Sequence, residues 1–288
     1  MIKKIRAGIR LVAGKWPPGP ELEVYPDDTF LIAYSKSGNT WTRFLLANLL
    51  NPDKQVTFLN IPELIPHFDV MSKRFFREAK RPRVINCHEA FRPHYKRVIY
   101  VVRDPRDVVV SLFHFQRKRR IIADDYSLDR FVSRFVAGEA LKPARLGSWG
   151  DNVASWLLMR DKDPGFLLLR YEDLLAGTET ELAKVATFLN VEATPERISH
   201  AVVASSAHRM RTLEKIQGNQ WHQSKDTRQD IPFVRAAKAG GWETVLSDES
   251  VREIEGAWSG IMKRLGYPLR LENLPDRLSL RDAEKLLR

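Results

Sequence analysis

The segment from Phe30 to Trp41 combines an apolar run with a short polar loop suited to bind an anion. Phe30 to Tyr34 form the apolar run, and Ser35 to Trp41 read S-K-S-G-N-T-W before a second apolar run begins. A strand that breaks into such a loop and opens a helix directs free backbone N–H groups and the Lys36 ammonium at one point. Since the lysine precedes the glycine, the spacing differs from the nucleotide-triphosphate loop G-x-x-x-x-G-K-[ST]. The segment predicts a phosphate site, and a capped helix with an incidental lysine is the alternative.

A second polar segment follows an apolar run that ends at Val102. It begins with Arg103, reads R-D-P-R-D into a helical pattern, and has Ser111 on the predicted helix. Open parallel sheets bind ligands at the carboxyl ends of their strands. A guanidinium there and a hydroxyl about one turn into the helix can therefore share a second phosphate. Taken alone, the segment also fits structural capping, with Asp104 as the cap before Pro105.

These two segments need alternating strands and helices to position them. Apolar runs predict strands at about 29–34, 83–87, 97–102 and 166–170. Helical patterns predict helices at about 39–50, 105–119, 127–137, 148–160, 178–190, 195–204 and 249–264. The alternation favours an α/β fold with a parallel sheet covered by helices on both faces.

The chain is expected to have three parts. Residues 1–20 are basic and end in prolines, and residues 2–16 place apolar side chains on one helical stripe. Such a basic amphipathic helix either docks on its own domain or lies on a membrane surface. The main domain is expected at 21–268; within it, 205–245 show little periodicity and are typical of a mobile lid or binding segment. A peripheral tail is expected at 269–288.

The composition is that of a basic globular chain. Its 288 residues include 47 Lys+Arg, 36 Asp+Glu and 43% hydrophobic residues, with a formal net charge of +11. These fractions exclude a disordered chain, a collagen-like fibre and a disulfide scaffold. The single cysteine, Cys87, excludes an intrachain disulfide and a zinc site of several cysteines. The charge predicts an anionic partner without distinguishing nucleic acid, acidic lipid, sulfate or nucleotide phosphate.

With both polar segments in view, the chain resembles the PAPS-dependent sulfotransferases, whose donor is 3′-phosphoadenosine-5′-phosphosulfate (PAPS). In that family the first loop reads approximately Y-P-K-S-G-T-T-W, and residues 34–41 read Y-S-K-S-G-N-T-W. The second reads approximately R-N-P-K-D-V-x-V-S, and residues 103–111 read R-D-P-R-D-V-V-V-S. The similarity continues at 170–174 and 233–235 and covers about residues 29–268. It implies a P-loop-kinase-like α/β fold and sulfuryl transfer to a hydroxyl or amine.

The resemblance implies roles for the matched residues. Lys36 would contact the bridging oxygen of PAPS and stabilise the leaving phosphate, and His88 would be the base. Arg103 and Ser111 would bind the 3′-phosphate, with Ser111 counted among the catalytic residues, and Arg235 would reach in from the later segment. The remaining donor-binding residues implied are Ser37, Gly38, Asn39, Thr40, Trp41, Tyr171 and Ser205. The product is 3′,5′-adenosine bisphosphate (PAP), and no metal is implied.

His88 also fits the role of a base by its position directly after a predicted strand. A neutral imidazole near pH 7 can accept the proton of an attacking hydroxyl. His94 and His114 are the alternative bases. The basic run 117–120 at a predicted helix end is expected to be a solvated face, with steering of an anionic ligand as the alternative.

The sequence departs from the family pattern near the site. Asn86 lies where many members have a lysine two residues before the base, and Ala207 lies where many have an adenine-stacking phenylalanine. Ala236 and Ala237 replace Lys-Gly after Arg235, and Asn152 replaces a frequent histidine near the acceptor. The acceptor therefore does not follow from the better-known members.

Two other functions remain as alternatives, a nucleotide-dependent kinase and a basic nucleic-acid-binding module. The kinase lacks the Walker spacing, and no RNA-recognition motif or zinc finger supports nucleic acid as a partner. The expected acceptor is a small molecule, lipid or glycan with a hydroxyl. Five phenylalanines fit either an acceptor pocket or the core. They are Phe68, Phe75, Phe76, Phe91 and Phe113.

The sequence has no apolar run of about 18 residues and no signal-peptide pattern. We therefore expect a soluble, cytoplasmic protein, with peripheral membrane contact through residues 2–16 as a secondary expectation. No pattern indicates the oligomeric state.

Overall fold

A computed structural model describes residues 21–141 and 146–270, which surround a four-stranded parallel sheet. The strands are β1 (Thr29–Ala33), β2 (Val84–Cys87), β3 (Arg97–Val102) and β4 (Phe166–Arg170), and their spatial order is β2-β1-β3-β4. The register pairs Ile32 of β1 with Cys87 of β2 and with Tyr100 of β3. The carboxyl ends of β1, β2 and β3 therefore lie along one edge of the sheet, where ligands bind in open parallel sheets.

Helices connect the strands and cover the sheet. They are α1 (Asn39–Leu50), α2 (Ile61–Leu64), α3 (Lys73–Glu78), α4 (Pro105–Lys118), α5 (Leu128–Val136), α6 (Trp149–Arg160), α7 (Tyr171–Ala176), α8 (Thr178–Leu189), α9 (Pro195–Ala204), α10 (Ala207–Gln217) and α11 (Asp248–Arg264). A short 3₁₀ turn spans Gly241–Thr244.

Separate apolar cores lie on the two faces of the sheet. Because successive strand residues point to opposite faces, Phe30 and Ile32 join one core while Leu31 and Ala33 join the other. The first core contains residues of α4, α5, α6 and α11, and the second contains residues of α1, α8 and α9. Burial on both faces explains why these strands read as continuous apolar runs.

The predicted α/β architecture is confirmed, and each predicted strand agrees with the structure to within one residue. The structure adds helices that the sequence pattern did not indicate, namely α2, α3, α7 and α10. Of these, α10 is the longest and lies within 205–245, where little periodicity was expected. Its buried residue is Met210. A helix that buries so little of one face has a weak apolar period, which explains why the pattern did not reveal it.

A buried ionic cluster holds the second polar segment in place. Arg106 donates to Asp104 at 2.6 Å and to Glu255 of α11 at 2.6 Å, and its guanidinium lies 3.9 Å from the Trp242 ring. Asp104 also accepts a hydrogen bond from the Arg106 backbone and so caps α4. The cluster joins α4 to α11, and it fixes the chain beside Arg103.

The predicted amphipathic helix at residues 2–16 lies outside the described residues, as does nearly all of the predicted tail at 269–288. In the ranges 21–141 and 146–270, no helix combines the length and the hydropathy needed to cross a bilayer.

Candidate active site

The loop between β1 and α1 is tightly folded around a glycine. Gly38 has a φ of 100° and precedes the first residue of α1, and Thr42 donates its backbone N–H to the Gly38 carbonyl at 3.0 Å. A Cβ atom at Gly38 would lie 2.5 Å from the Tyr171 ring. Only glycine fits both this φ and this approach. The first-turn N–H groups of α1, which have no partner within the helix, thus lie directly beside Lys36.

A cavity of about 640 Å³ opens beside this loop, at the carboxyl edge of the sheet. Most of the residues predicted for the site line it. They are Lys36, Gly38, Asn39, Thr40, Trp41, His88, Arg103, Ser111, Tyr171 and Arg235. Residues from both polar segments and from the later segment therefore meet in one cavity.

Lys36 lies between two aromatic rings and beside two arginines. Its Nζ is 4.2 Å from the Phe115 ring centre and 4.3 Å from the Phe233 ring centre. The pKa of Lys36 is lowered to about 7, mainly by burial and also by the charges of Arg103 and Arg235. A cation in these surroundings is costly unless an anion joins it. The geometry thus favours an anionic ligand at this point.

Arg103 is held by its surroundings with part of its guanidinium unused. It donates to the Lys238 carbonyl at 2.9 Å, lies 3.5 Å from an Asp107 oxygen and stacks 4.3 Å from the Tyr171 ring. Its Nε is buried with no hydrogen-bond partner among the described residues. Asp107 also accepts from the backbone of Gly240, at 2.8 Å. Arg103 therefore retains a buried donor beside the cavity that it lines.

His88 has the tautomer of a base. Its Nδ1 lies 2.6 Å from the carbonyl oxygen of Ala33. A carbonyl oxygen only accepts, so in the neutral ring Nδ1 carries the proton and Nε2 has the free electron pair. Burial is the main cause that lowers the pKa of His88 below its usual range. Asn152 donates to the His88 carbonyl at 3.2 Å and fixes the backbone. The ring is thus held neutral and oriented.

A second histidine, His67, lies beside His88 and did not follow from the sequence. The two ring centres are 5.3 Å apart, and both rings line the cavity. The segment around His67 pairs with the outer edge of β2, since Asn86 donates to the Pro66 carbonyl at 2.7 Å and Phe68 donates to the Asn86 carbonyl at 3.3 Å. This pairing joins residues about twenty positions apart, and no local pattern indicates it.

The segment that carries Phe233 and Arg235 is held by α4 and α10. Glu214 accepts from the backbone N–H of Phe233 at 2.5 Å and of Val234 at 2.9 Å. Lys118 donates to the Arg228 and Ile231 carbonyls, each at 2.8 Å, and lies 4.0 Å from Glu214. The two charged side chains therefore tie the backbone of this segment to the helices around the cavity.

This arrangement corrects the expectation for the basic run 117–120. The Lys118 side chain is 1% exposed and holds the segment just described, so it is not part of a solvated face. Arg119 and Arg120 are exposed, in agreement with the first-named expectation, and Arg119 also lines the cavity.

Two predicted donor-binding serines do not face the cavity. Ser205 is fully buried, and its hydroxyl accepts from Asn48 at 3.0 Å while its carbonyl accepts from the Trp41 indole at 3.1 Å. Its neighbour Ser206 lines the cavity instead. Ser37 is fully buried beneath the loop, and its hydroxyl has no partner among the described residues. Ser205 therefore contacts Trp41 and does not line the cavity.

The alternative bases and the proposed phenylalanine lining are not at the cavity. Neither His94 nor His114 lines it, and burial lowers the pKa of His114 to about 4. Of the phenylalanines proposed for an acceptor pocket, Phe68, Phe76 and Phe113 belong to the first core, and the partly buried Phe75 and Phe91 pack against it. None of them lines the cavity, whose phenylalanines among the described residues are Phe115 and Phe233.

Comparisons with known proteins agree with this geometry. The 3-beta-hydroxysteroid sulfotransferase of Cavia porcellus is 28% identical over 259 residues, which are 86% of this chain and 87% of that protein. Sulfotransferase 2B1 of Homo sapiens is 30% identical over 241 residues, 79% of this chain and 65% of that protein. The crystal structure of retinol dehydratase in a complex with retinol and PAP shares the fold, with a TM-score of 0.69 and 19% identity over 84% of this chain and 83% of that one.

The sequence model of the sulfotransferase domain matches residues 26–266, which is most of the chain. Both polar segments and the cavity that they form lie within this match. The resemblance seen in the two motifs is thereby confirmed: this chain belongs to the sulfotransferase domain family and is a sulfotransferase.

Proposed function

We propose that the chain transfers the sulfuryl group of PAPS to a hydroxyl of a small-molecule, lipid or glycan acceptor. The observation that carries the proposal is the group of three cations, Lys36, Arg103 and Arg235, in one cavity. Two acids lie near them: Asp107, beside Arg103, also accepts two backbone N–H groups, and Glu214, whose charge acts on Lys36, accepts those of Phe233 and Val234. The excess positive charge matches a donor with phosphates at both ends of its ribose. Retinol dehydratase, a structural neighbour, was crystallised with PAP.

The residues fit this donor in two places. Lys36 and the first turn of α1, including Asn39 and Thr40, would hold the 5′-phosphosulfate. Arg103, Ser111 and Arg235 would hold the 3′-phosphate, to which the Arg103 Nε, without a hydrogen-bond partner in the described part of the chain, can donate. The adenine would lie against Trp41 and Tyr171, whose rings meet edge to face with centres 5.7 Å apart. PAPS supplies the sulfuryl group together with a phosphate that leaves as part of PAP.

The chain's own residues would supply the base and the charge stabilisation. His88 Nε2 would take the proton from the acceptor hydroxyl as its oxygen forms a bond to sulfur. The bond from sulfur to the bridging oxygen breaks in the same step, and the electron pair goes to the phosphate. Lys36 and the α1 amides would stabilise the negative charge that develops there. Because Asn86 replaces the lysine that many family members have two residues before the base, Lys36 would be the ammonium group beside the leaving phosphate.

Isothermal calorimetry tests the donor assignment against the kinase alternative. We expect PAP to bind the wild-type chain and ATP with Mg²⁺ to bind at least tenfold more weakly. Arg103→Gln should weaken PAP binding by about tenfold or more, because it removes a charged partner of a phosphate. Arg252→Gln, which removes an exposed arginine of α11, is the matched control. Equal or tighter binding of ATP with Mg²⁺ would favour the kinase.

A peripheral membrane role is a secondary proposal that rests on the basic amphipathic pattern of residues 2–16. Deleting residues 1–20 should abolish co-sedimentation with anionic vesicles and leave PAP affinity unchanged. Equal sedimentation of the full and shortened chains would exclude this segment as the membrane contact.

A further inference from the structure

Arg43 is a buried cation that the donor site does not use. It lies one turn into α1, is 3% exposed and lines the cavity. Its guanidinium donates to the Ile65 carbonyl at 2.6 Å and to the Ile61 carbonyl at 3.3 Å, and its Nε is buried without a partner in the described ranges. Burial lowers the pKa of Arg43 to about 10, and no carboxylate opposes this shift.

Such an arginine is unusual because the desolvation cost of a buried cation is ordinarily offset by a paired anion. Two carbonyl oxygens satisfy part of the guanidinium, and no carboxylate of the described residues compensates its positive charge. If Arg43 only positioned α2, its hydrogen bonds to the Ile61 and Ile65 carbonyls would be sufficient. The buried Nε and the position in the cavity wall indicate a further, anionic partner.

Arg119 and His222 line the same cavity as Arg43 and are not among the proposed donor-binding residues. Burial is the main cause that lowers the pKa of His222, which lines the cavity. The charges of Arg43 and Arg119 lower it as well. The charges that lower the pKa of Lys36, in contrast, include Arg103 and Arg235. Arg119 also lies 5.6 Å from the Phe115 ring that Lys36 contacts, so these groups adjoin the proposed donor site.

His88 lines the cavity together with Arg43 and Lys36. Its pKa is lowered chiefly by burial, and among the charges that act on it are both Arg43 and Lys36. Asp69 is the acid among the described residues that line the cavity, and its charge acts on His88 in the opposite direction. A molecule whose hydroxyl reaches His88 can therefore place another group beside Arg43.

From this arrangement we infer that the acceptor carries an anionic group, a carboxylate, phosphate or sulfate, which binds Arg43 with Arg119 and His222 while the hydroxyl lies at His88. The inference rests on the proposed function, because it assigns the part of the cavity that PAPS leaves open. It makes Arg43 a specificity-determining residue that selects hydroxylated anions over neutral alcohols and phenols.

The test is a binding experiment on the full chain saturated with PAP, which occupies the donor cations. Calorimetry compares 4-hydroxybenzoate with its uncharged amide, and glucuronate and glucose 6-phosphate with glucose. In the wild type we expect at least one charged probe to bind about tenfold or more tightly than its neutral partner. Arg43→Gln should remove that preference and leave PAP affinity unchanged, while Arg252→Gln should preserve it.

Each other result contradicts the inference in a recognisable way. No preference in the wild type, or a preference that persists in Arg43→Gln, overturns it. Binding of inorganic sulfate without any charged probe overturns the assignment to the acceptor. If Arg43→Gln does not fold, Arg119→Gln combined with His222→Gln must lower the preference, and an unchanged preference overturns the inference. If PAP itself does not bind, the proposed donor is wrong. The same pairs of charged and neutral probes are then compared on the free wild type and on free Arg43→Gln, and a preference for the charged probe that persists in Arg43→Gln overturns the inference.

Discussion

The Nδ1 atom of His88 lies 2.6 Å from the carbonyl oxygen of Ala33, the last residue of β1. The strand that leads into the Lys36 loop therefore also sets the tautomer of His88, the proposed base. In the neutral ring this contact holds the proton on Nδ1 and leaves the free electron pair on Nε2. One strand end thus orients both His88 and the loop that carries Lys36.

His88→Gln should lower kcat by about 10²- to 10⁴-fold, because it removes the base. PAP affinity should be retained, since the glutamine leaves the Lys36 loop intact. In the wild type the neutral ring is the active form and burial lowers its pKa. The acid limb of kcat/KM should therefore lie below the ordinary histidine pKa of about 6.5. A full-activity His88→Gln variant would remove His88 from the mechanism.

Lys36 should take up a proton when PAP binds. Its pKa of about 7 leaves it mostly neutral at about pH 8 in the free protein, and bound phosphates should restore the charge. Calorimetry in buffers of different ionisation enthalpy should detect an uptake close to one proton at about pH 8 and less at lower pH. Lys36→Met should abolish the uptake and lower kcat by about 10²- to 10³-fold. Identical uptake in Lys36→Met would assign the proton to another group.

Lys118 and Glu214 should act on the donor rather than on the acceptor. Glu214→Gln and Lys118→Met loosen the backbone of the segment that places Phe233 over Lys36 and Arg235 in the cavity. We expect the KM for PAPS to rise several-fold with a smaller change in the acceptor KM. Lys215→Met, at an exposed position of α10, is the matched control. A uniform loss of stability with an unchanged donor KM would show that the pair is only structural.

Gly38→Ala should weaken PAP binding by about tenfold. The positive φ costs a residue with a side chain about 1–2 kcal/mol, and the new methyl group meets the Tyr171 ring. The unfavourable φ would move the loop, and the contact of the methyl group would displace the Tyr171 ring, which contacts Arg103. Gly256→Ala on α11 is the control, because nothing lies within 4 Å of its Cβ position. That substitution should raise the free energy of unfolding by up to about 1 kcal/mol. Unchanged PAP affinity in Gly38→Ala would show that the loop tolerates a side chain.

The sequence alone determined the features that depend on local order along the chain. The strand bounds and the α1 and α4 helices follow from apolar runs and breaks, because a helix or strand that faces a core has a period in its own residues. The same locality places Lys36 and Arg103 at strand ends, where the parallel sheet brings them together. The two motifs were therefore enough to predict the fold class and the family, and most of the site residues that they implied line the cavity.

Only the tertiary structure decided which side chains face that cavity. Ser205 turns away to hold Trp41, and His67 reaches His88 because its segment pairs with the edge of β2. The burial of Arg43 and the two rings around Lys36 depend on segments far apart in the chain. The burial of a side chain and the pairing of its charge depend on all of its neighbours in space. The spacing of residues along the chain therefore cannot predict them. The acceptor specificity inferred from Arg43 comes from this tertiary level.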